Sequence, residues 1–179
     1  MEERKMKPEE AAERVLNDLN IREIPIPVDK LAQKVGAAIS YEPFDGKDEI
    51  SGVLIKEADR MMIGINSSHA RTRQRFTIAH EIGHLVLKHR GDIFVDKTER
   101  INRDTKSTLA IDKNEIEANA FAAALLMPRA HILKEIQNRP RTKTAKKEPP
   151  LANYLAGKFQ VSKQAMEYRL NNLGLLIPE

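Results

Sequence analysis

The sequence predicts an α+β fold, with helices packed around a small three-stranded antiparallel sheet. Three observations carry this. The strand-like segments "AAISYEPF", "EISGVLIK" and "RMMIGINSS" follow one another with only the polar turns "DGKD" and "EADR" between them, as in a meander. Helical periodicity lies on both sides of that block. The 179 residues suffice for one domain with a small appendage and a real core.

The first helix begins at Pro8. A proline near N1 and acids in the first turn suit a helix start, and Ala11, Val15 and Leu19 share a side. "IPIPVDKLAQKVGA" gives a second short helix, with Leu31 and Val35 inward and Gly36 as its stop. After the three strands, Ser67 or Ser68 is placed to cap a long helix over about residues 69–89. Residues 91–112 are charged and aperiodic, which predicts a surface loop. "KNEIEANAFAAALLM" is an apolar helix ended by Pro128, and "RAHILKEIQN" is another. The Pro-containing basic segment 139–150 reads as a linker before two short helices in 151–179.

Composition sets limits. Charged residues make up 31% and the net charge is +4, a mild excess that does not by itself point to nucleic acid. There is no cysteine, which rules out a disulfide framework and a thiolate metal site. "MEERKMKPEE" lacks the apolar stretch of a signal peptide, and the longest apolar run, "AFAAALLM", is too short to span a bilayer. A cytoplasmic protein without membrane contact is expected.

The stretch "RFTIAHEIGHLVLKH" carries the chemistry. His80 and His84 are i and i+4 on a helix, so both imidazoles can aim at one point, a common half-site for zinc. Glu81 follows the first histidine and stands beside such a metal, where it can act on a water. Gly83 would leave space on the metal-facing side for a substrate backbone. Apolar flanks (Phe76, Ile78, Ala79, Ile82, Leu85, Val86) make this a core helix, and a core helix tolerates His-Glu-His only if the group is satisfied.

A catalytic zinc takes three protein ligands and keeps one position open. The helix over 113–127 offers Glu115 and Glu117, about 200° apart on a helix, so only one is expected to face inward. Taking Ala120, Phe121, Ala124 and Leu125 as the inner side selects Glu117 and leaves Glu115 toward solvent. His69, His89 and His131 are assigned surface or structural roles, with His89 left open.

"RQRFTIAHEIGHLVLKH" together with "EIEANAFAAALLMP" resembles the ImmA/IrrE family of zinc metallopeptidases. The likeness extends through "IPVDKLAQKVGAAI", "ISGVL", "IGIN" and "FQVSKQAMEYRLNNLGLL", over about residues 8–138 and 150–176. It implies a zincin-like domain over residues 1–138, with the active-site helix beside the sheet and Glu117 of "EAN" completing the zinc site of His80 and His84. It also implies the family's activity: cutting a helix-turn-helix repressor and so relieving repression.

On that reading Glu81 is the general base, and Tyr41, His89 and Tyr154 are candidates for stabilising the oxyanion. "MMIGIN" is the expected edge strand for an extended substrate. The C-terminal pair reads as a helix-turn-helix with Ser162 as N-cap. Beside the basic cluster Arg139, Arg141, Lys143, Lys146 and Lys147, it raises direct DNA contact as a lesser possibility. The competing readings are a non-hydrolytic antirepressor, a DNA-binding regulator and a broad peptidase. Manganese or iron would suit the same ligands.

Overall fold

The computed structural model describes residues 6–58, 60–97, 108–140 and 149–175. Its elements in chain order are α1 (Pro8–Asp18), α2 (Val28–Lys34), β1 (Ala37–Glu42), β2 (Ile50–Glu57), β3 (Arg60–Asn66), α3 (Arg71–Val86), β4 (Ile93–Lys97), α4 (Thr108–Leu126), α5 (Arg129–Gln137), α6 (Leu151–Phe159) and α7 (Lys163–Asn172). The α+β class is as expected, but the sheet is not the three-stranded meander. It has four strands in the order β1-β3-β2-β4. β2 pairs antiparallel with both β3 and β4, while β1 pairs parallel with β3.

Two physical reasons account for the difference. The β1–β2 connection, residues 43–49, is too long for a tight hairpin turn, and it lets β3 insert between β1 and β2. Phe44 of that connection covers the side-chain-free surface at Gly64. β4 arises from the segment expected to be loop, because "IFVDK" is short and charged at its end. Within it Phe94 and Asp96 turn toward α3, while Ile93 and Val95 face outward. β3 is therefore an inner strand and β4 an edge.

One face of the sheet packs on α3. Leu54, Ile63 and Ile65 are fully buried with Ile78 and Ile82 of that helix. Gly52 is required there: a Cβ on it would stand 2.3 Å from Thr77 Cγ2. α3 starts at Arg71 with no side-chain cap. Neither Ser67 nor Ser68 caps it; the Gln74 amide reaches back instead and donates to the carbonyls of Ser67 and His69.

On the other side of α3 lies α4, whose buried residues are Ala118, Phe121, Ala122, Ala124, Leu125 and Leu126. Ala120, expected on the inner side, is exposed. α6 and α7 contribute Leu155, Phe159, Met166 and Leu170 to the same buried cluster. Ser162 caps α7 as expected, accepting from the Ala165 N–H at 3.1 Å.

Arg169 is turned into the body. It donates Nε–H to the Met127 carbonyl at 3.0 Å and both terminal nitrogens to Glu9 at 2.8 and 2.5 Å. No helix among the described residues is long and apolar enough to cross a membrane.

Candidate metal centre

His80 and His84 lie one turn apart on α3, and their Nε2 atoms are 3.0 Å apart. Both residues are buried. The third group at that point is Glu115 of α4, with Oε2 3.1 Å from His80 Nε2 and Oε1 3.3 Å from His84 Nε2. One ligand atom from each of the three lies within 4.8 Å of the other two.

What lets α4 deliver a carboxylate so close is Gly83. It faces α4 rather than open space: a Cβ there would lie 3.2 Å from both the Cα and the carbonyl oxygen of Ala118. The expectation that Gly83 makes room for a substrate backbone is thus corrected. Its missing side chain brings the two helices together.

The placement of Glu117 is corrected as well. Its Oε2 lies 3.1 Å from His89 Nε2, not at the His80–His84 point. The error is one of helix phase. "ANAFAAALL" offers alanines all round, so apolarity does not mark the inner side. The observed inner line runs through Ala118, Phe121, Ala122 and Leu125, and Glu115 is i−3 to Ala118 on that line. Both acids are engaged because they project on opposite sides of Ala118 and meet different histidines.

The imidazoles are held from behind. His80 Nδ1 lies 3.0 Å from Asn119 Oδ1, and His84 Nδ1 lies 3.0 Å from His89 Nδ1. The Phe94 ring tilts over His84 at 4.3 Å between centroids, and Lys56 Nζ stands 4.5 Å above the other part of that stack while donating to the His89 carbonyl at 2.9 Å. Asn119 and Phe94 were not singled out in the sequence. Asn119 follows Glu115 by four residues and so shares its side of α4, which is the signal that could have found it.

The electrostatics favour a cation. Burial works against a charged His80, yet hydrogen bonding to Glu115 and the charges of Glu81 and Asp96 raise its pKa to about 9. Burial lowers His84. Burial also opposes ionisation of Glu115, but its bonds to both histidines prevail and bring it to about 2. Glu81 is fully buried, and neither carboxylate oxygen has a hydrogen-bond partner among the described residues. Burial and the neighbouring Asp96 and Glu115 push it up to about 8.

An unpartnered buried carboxylate is costly and marks a functional position. Two imidazole nitrogens and a carboxylate oxygen are a donor set that zinc accepts, with the fourth position left open. These residues therefore fit a divalent metal.

Two oxyanion candidates lie elsewhere. Tyr41 bonds to Asp29 and Arg71 at the start of α3, nine residues and roughly 13 Å along the axis from His80. Tyr154 sits on α6 under Arg139 and Lys158. His89 is at the centre, behind His84. A cleft of about 750 Å³ between α3, α4 and α7 borders the site only through Asn119, with Phe76, Ala123 and Tyr168 among its walls.

Comparison with known proteins agrees in kind. Over 90 residues, half of this chain, it is 31% identical to the uncharacterized immunity region protein 2 of Bacillus phage phi105, covering 52% of that protein. Over 114 residues it is 32% identical to the radiation response metalloprotease IrrE of Deinococcus radiodurans, covering 64% of this chain and 32% of that protein. The chain thus spans about half or less of these relatives. A transcriptional regulator of Mycobacterium tuberculosis shares the fold, with a TM-score of 0.59 at 16% identity over 92% of this chain and 46% of that one. Residues 32–171, which hold His80, Glu81, His84 and Glu115, match the IrrE N-terminal-like domain of the M78 peptidases, and the chain belongs to that family.

Proposed function

We propose that the protein is a zinc-dependent endopeptidase that hydrolyses a peptide bond in a helix-turn-helix transcriptional repressor and so relieves repression. The observation that carries this reading is the convergence of His80 Nε2, His84 Nε2 and a Glu115 oxygen beside the partnerless carboxylate of Glu81. A structural metal site needs no base next to it, so Glu81 speaks against a non-hydrolytic antirepressor. The repressor as substrate is supported by the phage immunity-region relative and by the ImmA/IrrE resemblance.

His80, His84 and Glu115 would hold the zinc, which when bound supplies a Lewis acid and makes water a nucleophile near neutral pH. Glu81 takes a proton from the attacking water as its oxygen bonds to the peptide carbonyl carbon. The same carboxyl group then gives that proton to the amine nitrogen as the C–N bond breaks. Burial raises its pKa, which suits handing the proton on, and the charge of a bound dication would bring it down toward the ionised form that takes one. The edge strand β4 provides backbone groups for an extended substrate, and Phe94 next to His84 brings that edge to the site. α7 is a poor nucleic-acid surface, since Arg169 is buried and Lys163 is paired with Glu167.

The test uses the repressor-like protein encoded nearest this gene. Incubation with zinc-loaded wild type should give one cut by fragment mass, and Glu81→Gln should give none. An intact repressor that nonetheless leaves its operator in the presence of either protein would replace hydrolysis by binding.

A further inference from the structure

We propose that His89 and Glu117 are positioning residues that lock His84 in the tautomer presenting Nε2 to the metal. This rests on the metal site proposed above. His84 Nδ1 faces His89 Nδ1 at 3.0 Å, and His89 Nε2 faces Glu117 Oε2 at 3.1 Å. Two imidazole nitrogens at hydrogen-bond distance need one hydrogen between them, and a carboxylate accepts only. Glu117 therefore takes its hydrogen from His89 Nε2–H. In the neutral ring that leaves His89 Nδ1 as an acceptor, so the shared hydrogen belongs to His84 Nδ1. With the metal in place of the hydrogen that His84 Nε2 otherwise shares with Glu115, His84 Nε2 would offer its lone pair at the point where His80 Nε2 and a Glu115 oxygen also converge.

The backbone is built to put His89 there. α3 ends in a Schellman motif: the Lys88 N–H bonds to the Leu85 carbonyl and the His89 N–H to the His84 carbonyl, each at 3.1 Å. Lys88 occupies the left-handed position of that motif with φ 54°, where glycine is usual and a side chain is disfavoured. The turn folds His89 back over its own helix, with its ring centroid 4.9 Å from that of His84. Lys56 adds a third tie through its bond to the His89 carbonyl. α4 thus reaches His84 twice, directly through Glu115 and from behind through Glu117 and His89. Carboxylates behind ligating histidines fix ring orientation and raise ligand basicity; here a second imidazole is interposed.

Zinc affinity measured by chelator competition on the full chain tests the assignment, with the visible spectrum of the cobalt-substituted protein as a second readout. Glu117→Ala and His89→Leu should each weaken zinc about 10- to 100-fold and shift the cobalt bands. His89→Gln, whose amide oxygen can accept from His84 Nδ1–H, should recover much of the loss, and Glu117→Gln should be the mildest. Melting of the metal-stripped proteins separates simple destabilisation from positioning. Affinities and spectra within about twofold of wild type in the variants that fold would overturn the assignment. Failure of wild type itself to bind zinc would instead overturn the metal site.

Discussion

Gly83 and Ala118 face each other across α3 and α4 so closely that a Cβ on the glycine would lie 3.2 Å from the Ala118 Cα and carbonyl oxygen, tighter than an ordinary contact. Glycine costs a helix about 1 kcal/mol relative to alanine, while forcing a methyl against packed backbone costs about 1–3 kcal/mol. The obstacle is the Cα and carbonyl of Ala118, which cannot swing away as a side chain can. Overpacking should therefore win. Gly83→Ala is expected to be mildly destabilising and Gly83→Val by about 2–3 kcal/mol in urea unfolding. Both should weaken zinc binding, because Glu115 moves with α4.

Glu115 and Glu117 can be separated by their amide and alanine variants. Glu115→Ala should reduce zinc affinity by more than the roughly 10- to 100-fold typical of losing an outer partner, as measured by chelator competition. The reverse ranking, with Glu117→Ala the more severe, would return the ligand role to Glu117.

Glu81→Gln should keep zinc and lose peptide hydrolysis, by at least about 10²- to 10⁴-fold for removal of a general base. Fragment yield over time checks the rate, and metal analysis checks retention.

The metal-stripped protein should have a distinctive pH dependence. Glu81 and His80 have folded pKa values of about 8 and about 9, above their ordinary 4.5 and 6.5. Their stabilising contributions are full below the ordinary values and are lost as pH rises through the folded ones. Glu115, brought down to about 2, contributes above 4.5 and is lost on acidification toward 2. Stability of the stripped protein should peak near 4.5, decline from there as Glu81 ionises, and decline more steeply above 6.5, toward 9, as His80 also loses its proton. Zinc should reverse the alkaline decline, since it binds the deprotonated imidazoles. Thermal melts across pH, with and without zinc, decide this; a flat stripped profile would show the coupling to be absent.

Arg169→Met should destabilise the fold. Charge-assisted hydrogen bonds are worth about 1.5–3 kcal/mol each, and the partial exposure of Glu9 reduces that toward the lower end. An expected loss of about 2 kcal/mol in urea unfolding would confirm that α7 is anchored to α1 and to the end of α4.

Local chemistry was legible in the sequence where it is dictated by short range. Pro8, Pro128 and Ser162 mark helix starts or breaks as their chemistry requires, and the His80–His84 spacing brings two imidazoles to one point. What was not legible depends on phase or distance. An alanine-rich helix has no apolar stripe to set its rotation, so the pattern of 113–127 points to Glu117 where the structure brings Glu115 to the histidines. Strand order cannot be read from alternation, so nothing in the sequence marks β3 as an inner strand or β4 as a strand at all. His89 follows its helix, and only the left-handed turn at Lys88 folds it back onto His84.

Glu81 has a consequence for anyone improving this protein in the laboratory. A buried carboxylate with no hydrogen-bond partner is a standing burden on the fold. A library screened only for heat resistance or expression would enrich neutral replacements at this position, and with them proteins that fold well and cut nothing. Repeated loss of one acidic side chain from such survivors would identify the working centre without any substrate in hand.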